Sequence, residues 1–304
     1  MKMSKLLRGL GFLGRVTAGA AAQGAQSVAR IGLEEALAEQ LRTVDGVAET
    51  SVDRPVTSGG LARTYRARVA LRPDLDAGAV RRAVEQCQTI FDEGRACGIL
   101  DPRLEVTVPV EASTVRISTS RWKQRWTRPV DDDTALQTLL DEARVGSGSA
   151  EASDGDVRLR FTASLDAVSA LLLAARPDGA RSWLRSWERD GASVVVRSAP
   201  EPVPLQPTLF TSLVDAGVQR IEISPETRRC TLHPHGEPDD RQIAQWLTHW
   251  RESATDAEPW EAIVATVGAW RVAPSGVEAL EQPHTSQEWR ARSARIAAML
   301  SDGA

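Results

Sequence analysis

Between residues 31 and 117 the hydrophobic period of the chain switches in a set order: helical, strand-like twice, helical again, strand-like twice again. Leu33, Leu37, Leu41 and Val44 recur at helical spacing and run into the turn pair Asp45-Gly46. Residues 47–52 follow as a strand. Tyr65, Ala67, Val69 and Leu71 then alternate with Arg66, Arg68 and Arg72, the period of a strand with one dry and one wet face. Residues 55–60, with Pro55 and Gly60, are expected to connect the two strands. Val80, Val84, Cys87 and Phe91 mark a second helix, with Asp74 or Asp76 at its positive end. Leu104, Val106 and Val108, then Val115 and Ile117, supply a closing pair of strands. One-faced strands and amphipathic helices must bury their apolar sides against each other, so this order predicts an α+β fold. Its helices would pack on one face of an antiparallel or mixed sheet.

The second half reads similarly. Residues 122–144 form a polar turn and then a helix, with Asp131, Asp132 and Asp133 available as its cap and Leu136, Leu139 and Leu140 on one side. Residues 145–156 (VGSGSAEASDGD) have the composition of a flexible linker. Beyond them Val157, Leu159 and Phe161 alternate with arginines, 165–175 is an apolar helical run, Trp183 and Trp187 sit one turn apart on an expected helix, and 194–196 is a short strand. A helix at 209–216, strands at Ile221/Ile223 and Cys230/Leu232, and a helix stripe of Ile243, Trp246, Leu247 and Trp250 repeat the first half's order. Two such small domains are expected, with an element order compatible with a ferredoxin-like sandwich. A strand at 260–267 and a helix at 289–300 complete the chain. The organisation expected is a basic Gly/Ala-rich arm at 1–30, a first α+β domain at 31–120, a connecting helix and linker at 121–156, a second α+β domain at 157–270, and a C-terminal loop and helix at 271–304.

Charge excludes some classes. The 304 residues carry a formal net charge of -4, which gives no global pull toward nucleic acid or an anionic membrane, so either would need a local basic patch. Cys87, Cys97 and Cys230 form no CxxC pair, and a reducing, cytoplasmic setting fits an odd set without a disulfide framework. In the N-terminal arm Arg8 and Arg15 interrupt the apolar run that a signal peptide requires, so secretion is not expected. Peripheral membrane contact through an interfacial helix at residues 1–30 is the competing reading, weakened by Gly9, Gly11, Gly14 and Gly19.

Three features carry candidate chemistry. Cys230, His233, His235 and Glu237 gather a thiol, two imidazoles and a carboxylate in eight residues; an extended chain would turn both histidines to one side, where a zinc or nickel ion could bind. Pro234 and Gly236 favour a turn instead. Residues 116–128 (RISTSRWKQRWTR) place Arg121, Lys123, Arg125 and Arg128 around Trp122 and Trp126 with no acid, a composition suited to partner binding, to stacking on single-stranded nucleic acid, or to an anionic membrane surface. Finally, Trp-x-x-x-Trp recurs at 122/126, 183/187 and 246/250, which on helices would make apolar ridges, by default facing a core.

No phosphate-cradling glycine loop, nucleophile elbow or Ser/Cys-His-acid arrangement is present, and no cofactor is expected. The leading expectation is a non-catalytic interaction or regulatory protein built from small α+β modules. A protein partner or self-association would engage it through Trp122, Trp126 and the basic residues beside them. The alternatives are a metal-dependent enzyme or metal-binding protein using Cys230, His233, His235 and Glu237, and a nucleic-acid or membrane-surface binder using 116–128.

Overall fold

A computed structural model of the chain describes residues 28–58, 62–73, 75–93, 100–122, 125–128, 130, 132–146, 148–280 and 286–301. The N-terminal arm, with its secretion and membrane readings, lies outside the described residues up to position 27. The described residues form seven helices and fourteen strands in mixed pairing, the α+β class that the alternating periods predict. Among them no helix is long and apolar enough to cross a membrane. The chain divides into two compact units, Met1–Arg144 with Ser149–Val157, and Val145–Gly148 with Arg158–Ala304.

The first unit opens with α1 (Val28–Arg42) and the hairpin of β1 (Val47–Ser58) and β2 (Ala62–Leu71), which pair antiparallel. Helix α2 (Ala77–Glu93) then carries the chain to β3 (Leu100–Val110), which lies parallel to β2 and turns back antiparallel into β4 (Ser113–Trp122). A two-residue strand β5 (Arg125–Trp126) folds onto the end of β4, and α3 (Asp133–Gly146) crosses to β6 (Ser149–Ser153), parallel to β4. Antiparallel neighbours need only a tight turn, whereas parallel neighbours need a helix-length crossover, so each helix is followed by two strands. Every crossover steps to the adjacent strand in the same direction, and right-handed crossovers of that kind leave all helices on one face. Tyr65, Ala67, Val69, Leu71, Leu104, Val106, Val108, Val115 and Ile117 are buried beneath that helix layer, and the residues between them carry the polar side chains.

The second unit follows the same grammar. After β7 (Asp156–Phe161), α4 (Leu165–Leu173) leads to the antiparallel hairpin β8 (Ser182–Arg189) and β9 (Ala192–Arg197). Helix α5 (Thr208–Asp215) crosses to β10 (Val218–Ser224), parallel to β9 and antiparallel to β11 (Arg229–Pro234). Helix α6 (Asp240–Ser253) crosses to β12 (Trp260–Val264), parallel to β11, followed by β13 (Gly268–Ala273), β14 (Gly276–Ala279) and α7 (Gln287–Ser301). Indole N–H groups tie the strands and helices together: Trp246 donates to the Ala216 carbonyl at 2.9 Å, Trp270 to Ser293 at 3.1 Å and Trp187 to Ala163 at 2.9 Å. Trp250 and Trp260 meet edge to face at 5.6 Å. A Cβ on Gly268 would collide with the Trp270 ring and the Ser293 hydroxyl, so this strand residue has to be glycine.

Four expectations are corrected. The supposed linker at 145–156 holds β6, whose Ala150 and Ala152 are buried while Ser149, Glu151 and Ser153 face out, and Asp154-Gly155, both at positive φ, turn the chain at its end. Trp183 and Trp187 lie on strand β8, not on a helix, and both are buried. Strand β1 runs on through Pro55, which is tolerated because β1 is an edge strand with a register shift between Asp53 and Val56. The ferredoxin-like order is not observed: a split crossover would insert a strand between the two that a helix joins, whereas β2 and β3 are direct neighbours.

Between the two β8 tryptophans, and on the same buried face, sits Arg185, fully inaccessible to solvent. Its guanidinium donates to the carbonyls of Ala174 at 2.7 Å and Ala175 at 3.2 Å and to the Ser198 hydroxyl, and it lies over the Trp183 ring at 5.6 Å. Those carbonyls close the C-terminal end of α4, where the helix dipole favours a cation. Arg185→Ala should therefore lower stability by about 3 kcal/mol or more in urea unfolding, because it leaves buried carbonyls unpaired and opens a cavity; a loss below about 1 kcal/mol would show that they find other donors. In limited proteolysis, residues 149–153 should stay protected as long as β4 does, in contrast to the early cleavage that a linker would show.

Candidate functional site

Helix α2 buries Val80, Ala83, Val84, Cys87 and Phe91, which leaves Arg81, Glu85, Gln88 and Asp92 along a neighbouring stripe at helical spacing. This stripe forms one wall of a groove of about 600 Å³ in the first unit. Ile117 of β4 and Leu136 of α3 line it as well, and Arg125, Trp126, Thr127, Arg128 and Val130 make the opposite side. The basic tryptophan segment therefore folds into a concave surface, with an apolar floor and guanidinium groups around it.

The walls are fixed by polar contacts. Thr127 donates its backbone N–H to Ser120 at 2.8 Å, and its hydroxyl accepts from the Ser120 N–H at 2.9 Å, which holds β5 and the residues after it against β4. Asp92, at the end of the α2 stripe, accepts from the Trp126 indole at 3.3 Å and pairs with Arg121 at 3.0 Å. Trp126, half-buried, also packs against Phe91 with ring centroids 6.0 Å apart. On the facing side α3 is capped by Asp132, whose carboxylate accepts from the backbone N–H groups of Thr134 and Ala135. The backbone bond from Thr134 holds the Asp132 carboxyl below its ordinary pKa. Asp133 in the first turn accepts from Arg81 Nε, which orients the guanidinium. Arg81 lines the groove, and its Nη2 is buried with no hydrogen-bond partner among the described residues. Arg125 and Arg128 are exposed and make no ion pair among those residues.

Of the residues singled out by sequence, Trp126, Arg125 and Arg128 line this groove. Arg121 does not: its side chain is only 10% exposed and braces the hairpin through Asp92. Trp122 pairs with Arg125 in the backbone register, while its side chain, and Lys123 altogether, lie outside the described residues. Arg81, Gln88 and Leu136 were not singled out, because no local pattern marks residues that reach the groove from two separate helices.

The metal candidates are not brought together. Strand alternation turns Cys230 into the core under the helices and His233 to the opposite face, where its Nε2 lies 3.6 Å from Glu222. His235 and Glu237 are exposed beyond the strand end, and Glu237 lies 4.0 Å from Arg292. Among the described residues no group of three or more His, Cys, Asp or Glu converges to hold a metal ion.

Compared with family models, curated proteins and solved structures, the chain matches none. The functional reading therefore rests on the groove itself.

Burial pushes the Cys87 thiol up to about 12 and the Cys230 thiol well above its ordinary range, with Glu222 adding to the latter. A thiol so far above neutral pH holds almost no thiolate, the reacting form. Mass-spectrometric mapping after treatment with an aromatic disulfide reagent at pH 8 should find Cys87 and Cys230 unmodified in the native protein and modified only above the unfolding transition; native labelling of either would contradict their burial.

Proposed function

We propose that the protein is a non-catalytic binding protein whose first unit holds a segment of a protein partner in the groove between α2, the β4–β5 hairpin and α3. The reading is carried by one observation: an apolar floor of Val84, Ile117, Val130 and Leu136 beside Trp126 is bordered by Arg81, Arg125 and Arg128, with an unpaired donor on Arg81. Half-buried tryptophan and arginine are the residue types that dominate interface energetics. Guanidinium groups beside an apolar floor select a carboxylate next to a large apolar side chain, so the segment proposed is acidic with one or more apolar anchors. Glu85 on the α2 wall would repel a second carboxylate placed near it, which sets the orientation of the segment.

Displayed random peptides panned on the full chain should enrich sequences with Asp or Glu flanking a large apolar residue. A synthetic peptide of that consensus should bind about ten-fold more weakly to Arg128→Glu and to Trp126→Ala, and more weakly as salt rises. Enrichment without acidic residues, or binding indifferent to both substitutions, would remove the groove as the site. Enrichment on single-stranded oligonucleotides instead, with the same sensitivity, would transfer the reading to nucleic acid.

A further inference from the structure

On the face of the first unit's sheet that the helices do not cover, the strand registers align side chains into rows. Arg66 of β2 stands directly beside Arg103 of β3, and Arg103 is in turn opposite Ser120 of β4. The next row holds Arg68, Glu105, Ser118 and Ser153. Around it the other charges are matched: Arg68 pairs with Asp53 at 3.1 Å and Arg116 with Glu105 at 3.2 Å. Arg66 and Arg103 are the exception. Both are exposed, and neither makes an ion pair among the described residues. Like charges side by side on paired strands repel each other, and the carboxylates of this sheet go instead to Arg68 and Arg116 in the two following rows.

These two arginines line a recess of about 320 Å³ together with Ser118, Ser120, Ser153 and Glu105. It therefore offers two guanidinium groups, each able to donate two parallel hydrogen bonds, and three hydroxyls that can donate more. We infer that this recess is a binding site for the phosphate group of a small phosphorylated molecule. A tetrahedral dianion removes the Arg66–Arg103 repulsion and accepts from both forks and the flanking hydroxyls at once. A single carboxylate has too few acceptor positions for that set. The small volume and the concave form suit a phosphate monoester rather than an extended polymer. Glu105 at the edge disfavours further anionic groups on the ligand. This site is separate from the groove of the proposed function and does not depend on it.

The test is phosphorus NMR and calorimetric titration of the full chain with inorganic phosphate, glycerol phosphate and a phosphoserine peptide, with acetate as control. Glycerol phosphate should bind more tightly than inorganic phosphate, and acetate should not compete. Arg66→Gln and Arg103→Gln should each weaken binding by about ten-fold or more, Glu105→Gln should strengthen it, and Arg144→Gln, on α3, should leave it unchanged. Thermal unfolding without phosphate gives an independent readout. Arg103→Gln should match or exceed the parent melting temperature in a phosphate-free buffer, because it removes repulsion, and fall below it when phosphate is added. Absence of phosphate binding, binding indifferent to Arg66→Gln and Arg103→Gln, or a lowered melting temperature of Arg103→Gln in phosphate-free buffer would overturn the inference. Tighter binding of the phosphoserine peptide than of glycerol phosphate would overturn the small-molecule assignment, as would equal binding of glycerol phosphate and free phosphate.

Discussion

Nearly everything described here follows from the fact that two strands joined by a helix lie side by side. A parallel neighbour cannot be reached by a tight turn, and a crossover that always steps the same way deposits each helix beside the previous one. The helices therefore meet each other as well as the sheet. Gln137 of α3 accepts from the Ala77 N–H at 3.4 Å at the start of α2, Thr211 of α5 donates to Asp166 of α4 at 2.6 Å, and Arg292 of α7 donates to Asp240 of α6 at 2.7 Å. The apolar side chains between the layers form the core, and strand alternation directs the intervening residues outward. Both candidate sites are by-products of this arrangement. The groove opens where α2 and α3 diverge over the β4–β5 hairpin, and the arginine recess sits on the side of the sheet that receives no helix.

The alternating periods were enough to read the class and most of the elements, since Leu104, Val106 and Val108, or Ile221 and Ile223, fit no other regular structure. Tryptophan spacing misled for a definite reason. A separation of four is close to one helical turn and also an even number, so Trp183 and Trp187 share a face on a strand as surely as Trp246 and Trp250 do on a helix. Only the intervening residues distinguish the two, and Arg185 obscured the pattern by being a buried charge where a strand normally has an apolar residue. Strand β6 was missed because its inward residues are alanines, too small to register as a hydrophobic stripe. The Asp154-Gly155 pair behind it carries a hairpin signal that low-complexity composition concealed.

The candidate site was only partly legible. Residues of the 116–128 segment were conspicuous through composition, and of the site candidates there Arg125, Trp126 and Arg128 line the groove. Their counterparts were invisible because Arg81 comes from a helix that lies beside the hairpin only after the sheet has formed, and its guanidinium is oriented by Asp133, 52 positions further on. The metal cluster failed for the opposite reason. Proximity in sequence brought four potential ligands of three types together, and the strand separated Cys230 and His233 onto opposite faces.

Because each strand, apart from the short β5 on the end of β4, pairs with the previous strand of the sheet, the sheet of either unit can grow in the order of synthesis. A hairpin emerging from the ribosome finds its template already in place, and no strand has to wait for a distant partner. Contacts of short sequence separation close small loops and lose little chain entropy at each step. The growing edge advances with every added pair of strands while the β1 edge stays where it is, so newly made backbone is unpaired at one edge only, where nascent β-proteins are most open to aggregation.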